Sequence, residues 1–266
     1  REKSIRRAES REKKLDKIEL IEKPEEIRSD MRLRLDPVCE SGEDVLMASG
    51  ITKSYGDHLL FSDLEIDIKR GERVALIGAN GTGKTTFLKI INRSVSKDSG
   101  KIVFGSKVKA GYFDQEHHDL DVEKTLFDEM SDSFPDMNST RIRNVLAAFL
   151  FTGDDVFKKI GELSGGERGR LSLAKLMLSP ANLLILDEPT NHLDIPSKEI
   201  LEDALMSYTG TILFVSHDRY FVNRTATRII ELRDKVLTGY MGDYDYFEEN
   251  RDRLFCIQRS EERRVG

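Results

Sequence analysis

The chain has 266 residues, 38% of them hydrophobic, with 42 Lys and Arg against 48 Asp and Glu and a formal net charge of −6. That length supports one or two domains with a full core, and the acid excess argues against a chain that coats nucleic acid by bulk electrostatics, though a local basic face stays open. No apolar run approaches the roughly 20 residues that span a bilayer, and the N-terminus is charged where a signal peptide needs an apolar stretch, so a cytoplasmic protein without membrane contact is expected.

Residues 1–23 are dense in Arg, Lys and Glu, carry no Gly or Pro, and predict one helix ending before Pro24. Ala8, Leu15, Ile18 and Ile21 form a narrow apolar seam that suits a partner helix, and the basic first turns favour phosphate contact. The start without Met predicts a piece of something longer. Residues 24–44 mix Pro, Gly and charge and read as a linker. Cys39 and Cys256 are far apart with no CxxC spacing, so both read as reduced thiols. From Val45 the texture turns β-rich, through "VLMASGITKSY" and "LEIDI", with Lys69 to Glu72 as a turn into the buried strand "RVALI". Strands then alternate with helices: "KIVFG", "KVKAGYF", helical stretches from Val122 and Ser139, then "LLILD", "TILFVS" and "RIIELR". After Gly239 an aromatic turn leads into a charged helix. The pattern predicts an α/β fold: an antiparallel β start, a mainly parallel sheet and a helical subdomain between about His117 and Leu178.

"GANGTGKTT", comprising Gly78, Ala79, Asn80, Gly81, Thr82, Gly83, Lys84, Thr85 and Thr86, fits G-x-x-x-x-G-K-[ST] and lies between a strand and a helix, the context this phosphate-binding loop requires. Its glycines let main-chain N–H groups turn towards phosphate oxygens, Lys84 reaches the β- and γ-phosphates, and the Thr85 hydroxyl suits Mg²⁺. A dinucleotide loop is excluded because G-x-G-x-x-G is absent. The apolar "LLIL" ends in Asp187 and Glu188, and because strand side chains alternate faces, these neighbours do different work. Asp187 suits the Mg²⁺ shell, and Glu188 suits a water placed for attack on the γ-phosphate as general base. Ser164, Gly165 and Gly166 open an amphipathic helix and form a second candidate phosphate site; a catalytic serine is disfavoured because G-x-S-x-G is missing. His117 and His118 have no matching ligand cluster and read as exposed loop residues.

The order "GANGTGKTT", "AGYFDQ", "LSGGE", "LLILDE" and "SHD" resembles an ATP-binding cassette domain over roughly Val45 to Tyr240. "LSGGERGRLSLAKLMLSPANLLILDEPTNHLD" followed by "FVSHDRYF" is more specifically similar to the ABC-F family of cytosolic, translation-associated ATPases. The resemblance implies residues 1–41 as the end of an interdomain linker, 42–240 as a second cassette and 241–266 as a charged helical tail. It implies that Tyr55 stacks on adenine, that Gln115 helps bind Mg²⁺ and sense the γ-phosphate, and that His217 contacts that phosphate and positions water. It also implies that Ser164, Gly165, Gly166 and Glu167 serve the ATP of a partner cassette, and that Asn191 to Asp194 meet that partner. The partner is a first cassette of the same protein or a second copy. The whole protein is then expected to be a Mg²⁺-dependent ATPase that binds the ribosome and contacts tRNA. The alternative is the nucleotide-binding subunit of a membrane transporter, which shares every catalytic residue; "DEPTNHLD" and the charged linker count against it.

Overall fold

The computed structural model describes residues 39–113, 120–191 and 193–253. The expected N-terminal helix, and the readings placed on Gln115, His117, His118 and Cys256, fall outside the described residues.

β1 (Asp44–Tyr55) and β2 (His58–Lys69) form a hairpin, and β4 (Ser99–Phe104) pairs with the other edge of β1, giving an antiparallel sheet in the order β2-β1-β4. In β2, Leu64, Ile66 and Ile68 are buried while Glu65 and Asp67 are exposed, the alternation of a sheet with one wet face. The second sheet contains β3 (Arg73–Ile77), β5 (Ala110–Phe113), β6 (Leu183–Asp187), β7 (Thr211–Val215), β8 (Arg228–Arg233) and β9 (Val236–Met241). Its order is β5-β6-β7-β3-β8-β9, with parallel pairing throughout except for the antiparallel β9.

Every residue of β6 and β7 is buried, as expected of strands covered on both faces. Their side chains divide strictly by parity. Leu184, Leu186, Ile212 and Phe214 join one apolar core, and Leu183, Ile185, Leu213 and Val215 join the other. The second core is shared with the antiparallel sheet and with α1 (Lys84–Ile91) through Phe87, Leu88, Ile90 and Ile91. The first is covered by α2 (Leu126–Ser133), α3 (Ser139–Ala148) and α4 (Gly165–Leu178), which lie in sequence between β5 and β6, and by α5 (Ile195–Ser207) and α6 (Arg219–Thr225).

Three strand boundaries differ from the sequence reading. β2 begins at His58, six residues before "LEIDI", because its first half pairs with Lys53 to Tyr55 at the end of β1. β5 begins only at Ala110, because Lys107 takes a left-handed turn and the Asn182 side chain captures the Lys107 carbonyl (2.9 Å) and the Lys109 N–H (2.8 Å). The aromatic turn expected after Gly239 starts later, since Gly239 to Met241 continue β9 against β8. Residues 244–253 are helical and pack on the first core: Phe247 is buried and meets the Tyr240 ring edge-on at 4.9 Å. Arg251 there gives two charge-assisted bonds, from Nε (2.8 Å) and Nη2 (2.7 Å), to the carboxylate of fully buried Glu231, which also accepts from the Tyr240 hydroxyl (3.2 Å). Arg251→Ala strips a buried charge of its counter-ion. A loss of about 1–3 kcal/mol in urea unfolding is expected, discounted because Arg251 itself is half exposed. An unchanged midpoint would mean that water replaces the arginine.

Candidate nucleotide site

Five of the six named α-helices are closed by their own side chains: Thr125, Asn138, Ser164, Asp194 and Asp218 each accept the N–H three residues on, and at α4 Ser164 and Glu167 form a full capping box. α1 differs. It starts at Gly83, held at φ 103, with no side-chain cap and no acid in its first turn, so its N-terminal N–H groups and dipole face outward as an anion site. Leu60 and Phe61 of β2 press against Gly83, where an added Cβ would come within 2.6 Å of Leu60 Cδ2. This contact seats the loop beside the hairpin that ends in Tyr55.

Within the loop, Lys84 Nζ donates to the carbonyls of Gly78 (2.9 Å) and Ala79 (3.0 Å), and Thr82 Oγ1 donates to Ala79 (2.9 Å). Burial lowers the Lys84 proton affinity, and the charges of Glu188 and Asp187 act against that loss. Thr85 Oγ1 lies 3.0 Å from Asp187 Oδ1, joining two residues 102 positions apart into one oxygen pair. The Tyr112 hydroxyl stands 3.4 Å from the other Asp187 oxygen. Among the described residues no group of three or more His, Cys, Asp and Glu is arranged to hold a metal alone. The Thr85–Asp187 pair instead suits Mg²⁺, which takes one or two protein oxygens and completes its shell with phosphate and water.

Glu188 turns the other way. Its backbone is left-handed (φ 49), a conformation costing about 1 kcal/mol in a residue with a side chain, and its N–H is tied to the Val215 carbonyl at 3.0 Å. This twist aims the carboxylate at β7's carboxyl end, where the His217 N–H donates to Oε2 (3.2 Å) and His217 Nε2 lies 3.3 Å from Oε1. Burial raises the Glu188 carboxyl above the ordinary glutamate range; the nearby His217 and its N–H pull in the opposite direction. The two adjacent acids therefore have separate partners, and the cause is the left-handed turn at Glu188, just beyond the end of β6, in place of the strand alternation expected from the sequence.

Ser164 caps α4. Its Oγ accepts the Glu167 N–H (3.3 Å), while the Glu167 carboxylate accepts from the Ser164 N–H (2.8 Å) and hydroxyl (2.7 Å), and these bonds hold that carboxyl below its usual range. Among the described residues, no hydrogen bond or ion pair links Ser164, Gly165, Gly166 or Glu167 to the Gly78–Thr86 loop. Tyr55 ends β1 opposite His58, half exposed, with Lys53 Nζ 5.0 Å from its ring centroid. Three further links escape sequence reasoning. Thr190 and Ser216 share a buried hydroxyl bond at 3.2 Å, tying the loop after β6 to that after β7. Lys198 pairs with Asp218 at 2.8 Å. Arg170, on α4, donates to Ser197 Oγ (2.7 Å) and lies 3.7 Å from Asp194, joining α4, the helix opened by the "LSGGE" signature, to the start of α5. Only the charge of Arg170 inside an otherwise apolar helix face marks it in the sequence.

The ABC transporter family profile matches residues 61–191, the stretch containing the phosphate loop, the signature and the adjacent acids. The protein YdiF of Bacillus subtilis strain 168 is 46% identical over 257 residues, covering 96% of this chain and 40% of that protein. ABC transporter F family member 5 of Arabidopsis thaliana is 42% identical over 252 residues, 92% of this chain and 36% of its own length. The chain belongs to the ABC-F family of ATP-binding cassette proteins. The energy-dependent translational throttle protein EttA of Escherichia coli strain K12 is 40% identical over 238 residues, 88% of this chain and 43% of its own length. This ABC-F chain thus spans about two fifths of the length of these relatives. Among its described residues, no helix is long and apolar enough to cross a membrane.

Proposed function

We propose that the chain is one ATP-hydrolysing cassette of a cytoplasmic protein that acts on the ribosome and its tRNA, and that turnover needs a second cassette, in the same polypeptide or in a second copy. The observation that carries the chemistry is the convergence of Lys84, the Thr85–Asp187 pair and the Glu188–His217 pair at the carboxyl ends of β3, β6 and β7. Loop N–H groups from Gly78 to Thr86 and the Lys84 ammonium bind the phosphates, and Tyr55 packs on the adenine. Thr85 and Asp187, with Gln115, would hold Mg²⁺, which when bound would offset the charge of the phosphate oxygens. Glu188 accepts a proton from the attacking water as the water oxygen bonds to the γ-phosphorus and the bond from that phosphorus to the bridging oxygen breaks, leaving ADP and phosphate. His217 holds the Glu188 carboxylate in place. The turn of Ser164, Gly165, Gly166 and Glu167 faces nucleotide held by the partner, so a lone cassette lacks half of the donors around its γ-phosphate.

The translational part rests on similarity to a protein described as an energy-dependent translational throttle. Its test is pelleting with purified ribosomes. ATP and Mg²⁺ are expected to retain the chain, and Lys84→Ala, with ATP affinity about 10–100-fold lower, is expected to lose that retention. Association that is absent, or equal with ATP and ADP, overturns the ribosomal reading; unchanged ATP affinity in Lys84→Ala overturns the site.

A further inference from the structure

Among the described residues, and away from the nucleotide site, positive charge is concentrated in one short segment of this acidic chain. From Lys89 to Lys109 the sequence holds Lys89, Arg93, Lys97, Lys101, Lys107 and Lys109, and its only acid is Asp98. Asp98 does not neutralise the run. Its carboxylate takes the Lys53 ammonium (3.0 Å) and the Ser54 N–H (2.6 Å), both from β1. Arg93, Lys97 and Lys101 line an open groove of about 450 Å³ between the end of α1 and β4, with Val95 and Ser96 between them. Among the described residues, no carboxylate forms an ion pair with any of these three cations.

Folding requirements account for only part of this arrangement. Cations near the end of α1 complement its dipole, which explains Lys89 and Arg93 but not Lys97 or Lys101, which lie beyond the helix. Arg93 is itself left-handed (φ 63), at a position where glycine is free of strain. Its guanidinium lies 5.3 Å from the Phe104 ring centroid, so an aromatic face supports the planar fork at the groove's edge. Three cations with no carboxylate partner among the described residues, around one open groove, repel each other, and a chain of regularly spaced anions relieves that repulsion.

We infer that this groove binds the phosphate backbone of RNA. The choice of RNA among polyanions rests on the ribosomal reading above; the existence of an anion-binding groove does not. Contacts from Arg, Lys and Ser to phosphates hold position without reading sequence. The groove sits at the carboxyl end of α1 and the nucleotide loop at its amino end, roughly 12 Å apart for an eight-residue helix, so filling one site leaves the other open.

The test is fluorescence anisotropy of a labelled RNA duplex with the 266-residue chain across a salt series. The triple variant R93A/K97A/K101A is expected to bind at least about 10-fold more weakly near 0.1 M salt and to lower the slope of log affinity against log salt by about 2–3, with fluorescent-ATP binding unchanged. K124A/K158A/K159A removes the same charge from lysines that already face acids, and is expected to leave both RNA affinity and slope near wild type. A groove variant with wild-type affinity and slope overturns the inference. So does a variant that loses binding to phosphatidylserine vesicles while keeping RNA, which assigns the groove to a membrane surface. Ribosome pelleting separates the two readings. Retention of RNA binding without ribosome binding removes the translational role and leaves the groove contact standing; ribosome binding together with an RNA affinity and slope that R93A/K97A/K101A leaves unchanged removes the groove and leaves the role.

Discussion

Glu188→Gln is expected to hold ATP as tightly as the wild-type chain and to hydrolyse it about 10²–10⁴-fold more slowly, the usual contribution of a general base. Glutamine keeps an oxygen for the His217 N–H but cannot take a proton from water. The same substitution has a stability signature with a defined sign. Burial raises the Glu188 proton affinity in the folded state, so the folded form binds this proton more tightly than the unfolded form. Its stabilising effect is therefore complete below the ordinary glutamate range, near about 4.3, and is lost as pH rises through the higher folded value. At neutral pH the ionised carboxylate is a strain that glutamine lacks. Glu188→Gln should melt above wild type at pH 7, and the gap should close as the solution is acidified. Phosphate release at concentrations that allow two copies to pair, and scanning calorimetry across pH, measure the two effects. Surviving turnover would assign the base elsewhere, and a lower melting point at pH 7 would mean that His217 more than compensates the burial.

Gly78→Ala is expected to abolish nucleotide binding and to cost about 2–4 kcal/mol of stability. An added Cβ would stand 2.5 Å from the Leu232 carbonyl oxygen, 3.3 Å from Thr82 Oγ1, and on a backbone at φ 155. The carbonyl cannot yield, because Leu232 is held in β8 between β3 and β9. The loop must move instead, taking with it the two carbonyls that position Lys84. Gly81→Ala is the internal comparison. Its φ is 79 but nothing lies within 4 Å of the added carbon, so it carries only the conformational cost of about 1 kcal/mol. Urea unfolding and fluorescent-ATP titration compare the pair; equal midpoints for both variants would show that the loop does not bear on β8.

The central strands were legible because burial on both faces demands short apolar runs such as "LLILD" and "TILFV", which few other structures need. The start of β5 was not, since it depends on Asn182, 73 positions from Lys109. Similarly, β9 looks like a turn until β8 offers it an edge. The sequence reading assigns no element between Leu193 and Thr211, although Asp194 followed by Ile195-Pro196 carries the cap and first-turn proline of α5. Arg170 shows the same limit within the site: its partners Ser197 and Asp194 are remote in sequence, and no local pattern announces them.

By itself, the sequence determined the chemistry that operates over a few residues. Glycines at Gly78, Gly81 and Gly83 beside Lys84 and Thr85 encode a phosphate loop, because backbone freedom and a helix start are local properties. The strand period of two predicts opposite faces for the two adjacent acids, but Glu188 lies just beyond β6 with a left-handed backbone, and that turn sets its direction. Tertiary structure alone decided which groups meet. The motif-bearing strands come in the chain as β3, β5, β6 and β7, but stand in the sheet as β5-β6-β7-β3, and that order brings Asp187 to Thr85 and Glu188 to His217. Asp187 is level with Val215, and Val215 with Leu76, so all these loops leave one edge of the sheet together. Register across three strands is a long-range property, fixed by packing of both cores, and adjacent Asp187 and Glu188 acquire distinct partners only once it forms.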